Sequence, residues 1–432
     1  MLQNLELTNV GPAQKMRLDF GERLNLITGD NGLGKSFLLD IAWWALTRKW
    51  PAEVNPRLTA GKMALPSGTA DASIDLSFSG KIRNDSFTSR FDRREQAWSV
   101  RRGRPANPGM VLYAMSDGSF SVWDSARNYR PEKRGSEGFD RPPAYVFSPN
   151  EIWDGLPGTE GKWHCNGLIR DWASWQKEDG ASFRSLRSVM DALSNSSDQV
   201  ERIIPGELTR ISLDDVRDMP TIRMPYRQDV AVAHASAGIR RIMALAYALV
   251  WTWEEHSQAS KLLGEDTADQ VVFLVDEIEA HLHPKWQFGI VPSLLSVMNA
   301  LTRNAQVQVI TATHSPMIMA SIEPIFDPKK DSWFDLDYAG DGNGEVKLSH
   351  RDFERHGDIS NWLTSEAFDL PSPRTPEFAD LLAKAGDLIK DPNATIDAIR
   401  GMHERLVLAL NPRDTFLYRW RAICEKKGWS LE

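Results

Sequence analysis

The chain has 432 residues, 41% of them apolar and 25% charged, which is the composition of a globular protein with material for one large α/β domain with insertions or for two domains. No apolar run reaches the ~18 residues of a membrane span and the N-terminus lacks the basic-then-apolar layout of a signal peptide, so the expected compartment is the cytoplasm, without membrane contact. A net charge of −8 excludes a generic polyanion binder, and two cysteines far apart, Cys165 and Cys424, exclude a disulfide framework or a cysteine metal site.

Leu5-Glu6-Leu7 and Met16-Arg17-Leu18-Asp19-Phe20 alternate as strands about a Gly11-Pro12 turn. The run Arg23 to Thr28 is a further strand, and it leads into Gly29-Asp30-Asn31-Gly32-Leu33-Gly34-Lys35-Ser36, a G-x-x-x-x-G-K-[ST] loop. Its glycines let successive N–H groups converge on phosphate oxygens, Lys35 reaches the β and γ phosphates, and the Ser36 hydroxyl is a Mg²⁺ ligand. The helix that follows (Phe37, Leu38, Ile41, Ala42, Ala45) aims its N-terminal dipole at the same anion. Residues 29 to 37 are the predicted phosphate-binding segment.

Strand patterns continue through Ser73–Phe78, Ala97–Val100, Val111–Tyr113 and Phe120–Trp123, which together predict an antiparallel sheet beside the phosphate loop. Residues 81 to 104 carry eight basic side chains against Asp85, Asp92 and Glu95, a local +5 that leaves −13 for the remainder. This is either a solvated face paired with acids elsewhere or, through Arg101, Arg102 and Arg104, a nucleic-acid contact. Arg127 to Pro143 reads as a loop. Residues 166 to 194 read as helical with Leu168, Trp172, Trp175, Phe183, Leu186, Val189 and Leu193 inward.

His234-Ala235-Ser236-Ala237-Gly238 precedes a strongly apolar helix, and small residues at such a start present free N–H groups and a hydroxyl. The plain alternative is a serine N-cap. Val271 to Val275 is a continuous apolar run, as a strand buried on both faces requires, and it ends in Asp276-Glu277. With a phosphate loop upstream, Asp276 is the expected Mg²⁺ ligand and Glu277 the base that orients and deprotonates water. Val307 to Thr311 is a second such strand, closing at Thr313-His314-Ser315, and His314 is read as a γ-phosphate sensor.

Three patterns are set aside. His281-x-His283 beside Glu277 and Glu279 has metal-like spacing, but its place in a loop after the acid strand accounts for it. Asp335-x-Asp337 reads as two acids on one exposed face of a hairpin strand that turns at Asp341–Gly344. No guanine-reading Asn-Lys-x-Asp motif is present. The tail from Pro376 is helical; its last helix is expected to run from an Asn411 N-cap to Gly428 with Phe416, Leu417, Trp420 and Ile423 packed, or serving as an effector platform.

The order of these motifs resembles an ABC-type ATPase head of the branch that holds RecF, the structural-maintenance-of-chromosomes (SMC) proteins and the overcoming-lysogenization-defect (OLD) ATPases. In that resemblance Gly29–Ser36 is the Walker A motif, Ala235–Gly238 the signature, Asp276-Glu277 the Walker B acid and catalytic glutamate, Glu279–Pro284 the D-loop and His314 the switch histidine. It implies a P-loop fold of α/β class with a mixed central sheet, an antiparallel β subdomain, a helical lid insertion and a C-terminal helical appendage. It also implies a head-to-tail homodimer in which Ser236 and the Gly238 amide of one head reach the γ-phosphate held by the other. The signature departs from the common form at Ala237, and Asn150, within Phe147–Glu151, stands where a Q-loop glutamine is expected.

The corresponding segments are an ATPase lobe at 1–160, an insertion at 161–235, a second lobe at 236–350 and a helical region at 351–432. With no long heptad array, the layout is most similar to stand-alone ATPases of bacterial anti-phage systems, which implies an ATP- and Mg²⁺-dependent switch controlling a nuclease or toxin effector. A DNA-repair ATPase of the RecF kind and a nucleotide-stabilised scaffold with little turnover are the alternatives.

Overall fold

Alternating apolar residues make the first two strands one-sided. β1 (Leu2–Thr8) buries Leu2, Leu5 and Leu7, β2 (Lys15–Asp19) buries Met16 and Leu18, and the two pair antiparallel. β3 (Leu24–Gly29) is buried at all six positions and delivers the chain to α1 (Lys35–Thr47), of whose 13 residues ten are buried. These come from a computed structural model that describes residues 1–80, 84–100, 106–129, 142–194, 202–302, 305–339 and 344–431. The chain divides into two units, Met1–Ile359 and Ser360–Glu432.

After the single turn α2 (Pro51–Val54), strands β4 (Ser73–Ser79), β5 (Asn84–Asp92) and β6 (Ala97–Trp98) extend the first hairpin into a five-stranded sheet of order β2-β1-β4-β5-β6. The next hairpin, β7 (Met110–Ala114) and β8 (Phe120–Trp123), does not join it, contrary to the expectation from sequence. β7 lies parallel to the acid-bearing strand, with Met110 opposite Val271 and Ala114 opposite Val275. Met110-Val111-Leu112-Tyr113 is apolar on both faces, and such a strand fits a sheet interior rather than a one-sided layer. Arg101, Arg102 and Arg104 lie outside the described residues, as does most of the 127–143 segment. Arg127 itself is anchored, ion-paired to Asp124 at 2.5 Å and stacked on Tyr145.

β9 (Tyr145–Phe147), α3 (Pro149–Asp154) and a short hairpin, β10 (Leu156–Pro157) with β11 (Trp163–Cys165), lead to α4 (Leu168–Glu178) and α5 (Ala181–Ser194). The helical stretch predicted over 166–194 consists of two helices, separated where Asp179 turns left-handed before Gly180. The insertion is not wholly helical: β12 (Ile204–Pro205), β13 (Thr221–Arg223) and β14 (Asp229–Ala231) form a three-stranded sheet, in a stretch where prolines at 205, 220 and 225 interrupt any helix.

α6 (Ala237–Leu263) follows, capped by Ser236 and ended by left-handed Gly264, and then β15 (Gln270–Asp276), α7 (Pro284–Thr302), β16 (Gln306–Ala312), α8 (Pro316–Ile322), β17 (Ser332–Tyr338) and β18 (Val346–Arg351). The resulting eight-stranded sheet has the order β18-β17-β3-β16-β15-β7-β8-β9, with β17, β3, β16, β15 and β7 mutually parallel and antiparallel strands at both edges. Apolar residues of α1, including Trp43 and Trp44, lie in one core with residues from both sheets.

Two acids expected on one exposed face separate here. Asp335 is 2% exposed because β17 is an interior strand paired with β3, where Asp335 faces Thr28 in register. The Thr28 hydroxyl donates to Asp335 Oδ1 at 2.6 Å, Trp333 Nε1 donates to Thr28 Oγ1 at 2.8 Å, and Arg351 pairs with Asp335 Oδ2 at 3.2 Å.

α9 (Ile359–Leu363) crosses the boundary into the second unit, where α10 (Pro376–Lys390), α11 (Ile396–Ala409) and α12 (Thr415–Lys426) surround Leu381, Ile399, Leu406, Leu417 and Trp420. α12 is capped by Asp414, not Asn411. Asp414 accepts from the Phe416 amide at 2.8 Å and pairs with Arg374, while the Asn411 side chain closes a turn onto the Arg413 amide. Gly428 follows the helix at φ +70°, and Ile423, expected to pack, is 37% exposed.

Candidate active site

Parallel pairing puts the carboxyl ends of β3, β16 and β15 side by side, where ligands of open α/β sheets bind. Each of those ends carries a predicted group. From β3 the chain turns through Gly29, Gly32 and Gly34, all at positive φ that L side chains resist. Pro12, in the β1–β2 turn, packs against Gly34, and Phe37 packs beside Gly11 of the same turn. Asp30, Asn31 and Gly32 are exposed at the lip of the loop and Leu33 is buried beneath it.

Lys35 is 5% exposed, and its Nζ donates to the carbonyls of Gly29 at 2.7 Å and Asp30 at 2.9 Å. Burial lowers its pKa, against the pull of Glu277, Asp276, Asp30 and Glu279. Asp276, at the end of β15, is 1% exposed. Burial raises its pKa, countered by the hydroxyls of Ser36 and Ser116. Its Oδ1 is buried with no hydrogen-bond partner among the described residues. An orphaned carboxylate oxygen beside a serine hydroxyl is a pair of hard donors, and phosphate oxygens and water complete the shell Mg²⁺ prefers. These residues fit that ion. Among the described residues no cluster of three or more His, Cys, Asp or Glu forms a protein-only metal site, His281 and His283 included.

Glu277 stands in the left-handed region at φ +47°, an uncommon backbone state for a residue of its kind. Its amide donates to the Ala312 carbonyl at 3.1 Å, and its side chain is about 29% exposed. His314, just past β16, has Nδ1 3.6 Å from Glu277 Oε1, within electrostatic reach and beyond a hydrogen bond. Lys35, Asp276, Glu277 and His314 are thus brought together.

Ser236 and Gly238 are placed differently. Ser236 is exposed and its Oγ caps α6 by accepting from the Ile239 amide at 3.4 Å; Gly238 is buried against the His281 carbonyl. Their contacts are with α6 and the 281 turn rather than with Lys35 or Asp276. Asn150 is exposed in the first turn of α3, where Glu151, not Asn150, makes the polar contacts: it accepts from Ser148, from Asn55 at 2.6 Å and from Arg57 at 2.6 Å.

Sequence reasoning missed Arg241. This largely buried guanidinium on α6 donates to the carbonyls of Ser116 at 2.7 Å, Glu277 at 3.0 Å and, at longer range, Asp276 and Met115. Its signal was a charge five residues into a helix whose next residues are apolar. Tyr113 and Asp40 were also missed: the tyrosine hydroxyl donates to Asp40 Oδ1 at 2.9 Å, joining β7 to α1, and burial pushes Asp40 up to about 7.

A glycine-rich loop between a buried strand and a buried helix, a strand-end acid pair, and a histidine on the strand between them define a P-loop nucleotide-binding domain. The chain belongs to the family described as "AAA domain, putative AbiEii toxin, Type IV TA system", whose model matches residues 24–320. It is similar to the "Retron Ec83 probable ATPase" of Escherichia coli, 24% identical over 263 residues, an alignment that spans 59% of this chain and 42% of that one. Among solved structures it is similar to the "SMC head domain from Thermotoga maritima" (16% identity, TM-score 0.38, 81% of this chain and 99% of the other). A second is the SMC head bound to the C-winged helix domain of ScpA (15% identity, TM-score 0.39, 82% and 98%).

Proposed function

We propose that the chain binds Mg²⁺-ATP at Gly29–Phe37 and hydrolyses it as a head-to-tail homodimer, and that its nucleotide state controls an effector, a nuclease or toxin, in bacterial anti-phage defence. The observation that carries the chemical part is Glu277: a partly exposed carboxylate, fixed at the end of β15 by its own amide and by Arg241 on its carbonyl, and facing His314.

Lys35 holds the β and γ phosphates once its Nζ leaves the Gly29 and Asp30 carbonyls, and the loop amides receive the remaining oxygens. Ser36 and Asp276 hold Mg²⁺, which when bound neutralises charge on the phosphate oxygens. Glu277 accepts a proton from the attacking water at its carboxylate, and His314 hydrogen-bonds the γ-phosphate. Ser236 and the Gly238 amide of one subunit complete the pocket of the other. The exposure of Ser236 and the positive N-terminal end of the 27-residue α6 support that assignment. The family description and the retron relative support the role in defence.

Glu277→Gln tests the reading. The wild type is expected to release phosphate from ATP, and the variant to bind ATP with similar affinity while its turnover falls at least about 100-fold, the scale of a lost general base. ATP should also drive the variant to a dimer in light scattering, and Ser236→Arg should block that. Equal phosphate release by wild type and Glu277→Gln ends the catalytic assignment.

A further inference from the structure

Glu279 takes no part in hydrolysis as set out above, yet its carboxyl lies inside the same site at 4% exposure. Burying a carboxyl is costly, and an apolar residue would fill the same volume without that penalty. Its Oε1 accepts from the Thr313 hydroxyl at 2.6 Å and from the His314 amide at 3.2 Å. Its Oε2 has no hydrogen-bond partner among the described residues. Thr313 Oγ1 also accepts from the Ser315 amide at 3.1 Å, and the Ser315 hydroxyl donates to Gln287 Oε1 at 3.0 Å. Gln287 Nε2 returns to the Leu282 carbonyl at 3.1 Å. The loop bearing His314 is therefore tied at both ends to the 279–287 segment.

That segment is in turn fixed at its own start. The Ala280 amide donates to the Glu277 carbonyl at 3.0 Å and the Leu282 amide to the Glu279 carbonyl at 3.0 Å, so the turn is built directly on the catalytic acid. On its other side the His281 carbonyl abuts Gly238. A chain of direct contacts runs from the start of α6 through this turn to His314.

We propose that Glu279 is a positioning residue for His314: its Oε1 clamps the Thr313-His314 loop to the 279–282 turn, so that the turn packed against Gly238 sets where His314 stands relative to Glu277. The kinetic consequence rests on the hydrolysis reading above; the clamp itself is measurable without turnover.

The test uses the full chain with Glu279→Ala, Glu279→Gln, Thr313→Val and the Glu279→Ala/Thr313→Val pair. Hydrogen exchange of a peptide spanning 307–320 reads the clamp, and kcat and KM for ATP read its effect. Glu279→Ala and Thr313→Val are expected to exchange about tenfold faster and to lose about tenfold in kcat, with KM shifted less than about threefold. Glu279→Gln keeps an oxygen that accepts both bonds and is expected within about threefold of wild type, and the double variant is expected no worse than the worse single one. Unchanged exchange in Glu279→Ala overturns the proposal, as does damage in Glu279→Gln equal to that in Glu279→Ala. If the wild type releases no more phosphate than Lys35→Ala, the hydrolysis reading falls, and the exchange comparison still decides the clamp.

Discussion

Gly238→Ala is the sharpest perturbation available at the signature, because the collision it creates can be sized. A Cβ at position 238 would sit 2.6 Å from the His281 carbonyl oxygen, with His281 C at 3.6 Å and Leu282 Cα at 3.7 Å. Ordinary contact begins near 3.4 Å, so α6 and the 281 turn must separate by about 0.8 Å, and both sides of the contact are backbone. Overpacking of this kind costs about 1–3 kcal/mol, offset by about 1 kcal/mol from the helix preference of Ala over Gly. The melting temperature should therefore fall by no more than about 5 °C. Turnover should suffer more: the displaced turn is built on Glu277 and carries Glu279, and a misplacement near 1 Å costs on the order of 100-fold in rate. Phosphate release with saturating ATP, beside fluorescent-nucleotide binding and a melting curve, separates these effects. Affinity of the isolated head should stay within about threefold of wild type, since within one subunit Lys35 and its loop do not touch Gly238. A variant that turns over like wild type would refute the argument that this contact holds the catalytic turn.

Further outcomes follow from the same geometry. Arg241→Lys keeps the charge but not the fork that reaches both the 115–116 and 276–277 carbonyls, so turnover should drop about tenfold or more with ATP affinity nearly unchanged in a binding titration. Thr28→Val leaves Asp335 Oδ1 and Trp333 Nε1 without their shared hydroxyl, and urea unfolding should show a loss of about 2–4 kcal/mol. Burial pushes Asp40 up to about 7 in the folded protein against an ordinary value of 3.8, so its own contribution to stability is fully present below about pH 4, declines as pH rises from about 4 to 7, and is lost above. Asp40→Asn should remove that slope and gain a few kcal/mol at pH 8 (~1.4 kcal/mol per pKa unit), with no gain at pH 4, measured by urea unfolding at both. ATP with Mg²⁺ should raise the melting temperature of Glu277→Gln, by about 2.7 kcal/mol of stability at a hundredfold excess over Kd, and adding a chelator of Mg²⁺ should remove most of the gain.

The elements of the candidate site were legible because each is set by local rules. A glycine loop between a buried strand and a helix, and an apolar run ending in two acids, need no knowledge of neighbours. The misplaced hairpin 110–123 shows the limit: period and composition identify two strands, but which sheet takes them depends on β7 finding β15 across some 160 residues of chain. Asp335 was misjudged for the same reason. An acid in an alternating strand is exposed only if one face of that strand is, and β17 is interior because β3 pairs with it. Asp414 displaced Asn411 as cap because Arg374, 40 residues away, braces its carboxylate.

Arg241 was out of reach for a deeper reason. All four of its acceptors are backbone carbonyls, which every sequence possesses, so nothing in the residues at 115, 116, 276 or 277 announces a partner. Its placement nevertheless joins α6 to the backbone of Asp276 and Glu277. A guanidinium that bridges α6 to the carbonyl of Glu277 ties the helix start to the backbone of that residue, and Gly238 against His281 adds a second point of contact. In the proposed dimer, a second copy that meets Ser236 therefore acts on Glu277 and His314 through contacts already made inside one subunit. Under that proposal the two contacts are what link assembly to the acid: with a loosely seated α6, a partner's γ-phosphate would shift Ser236 alone and leave Glu277 where it was.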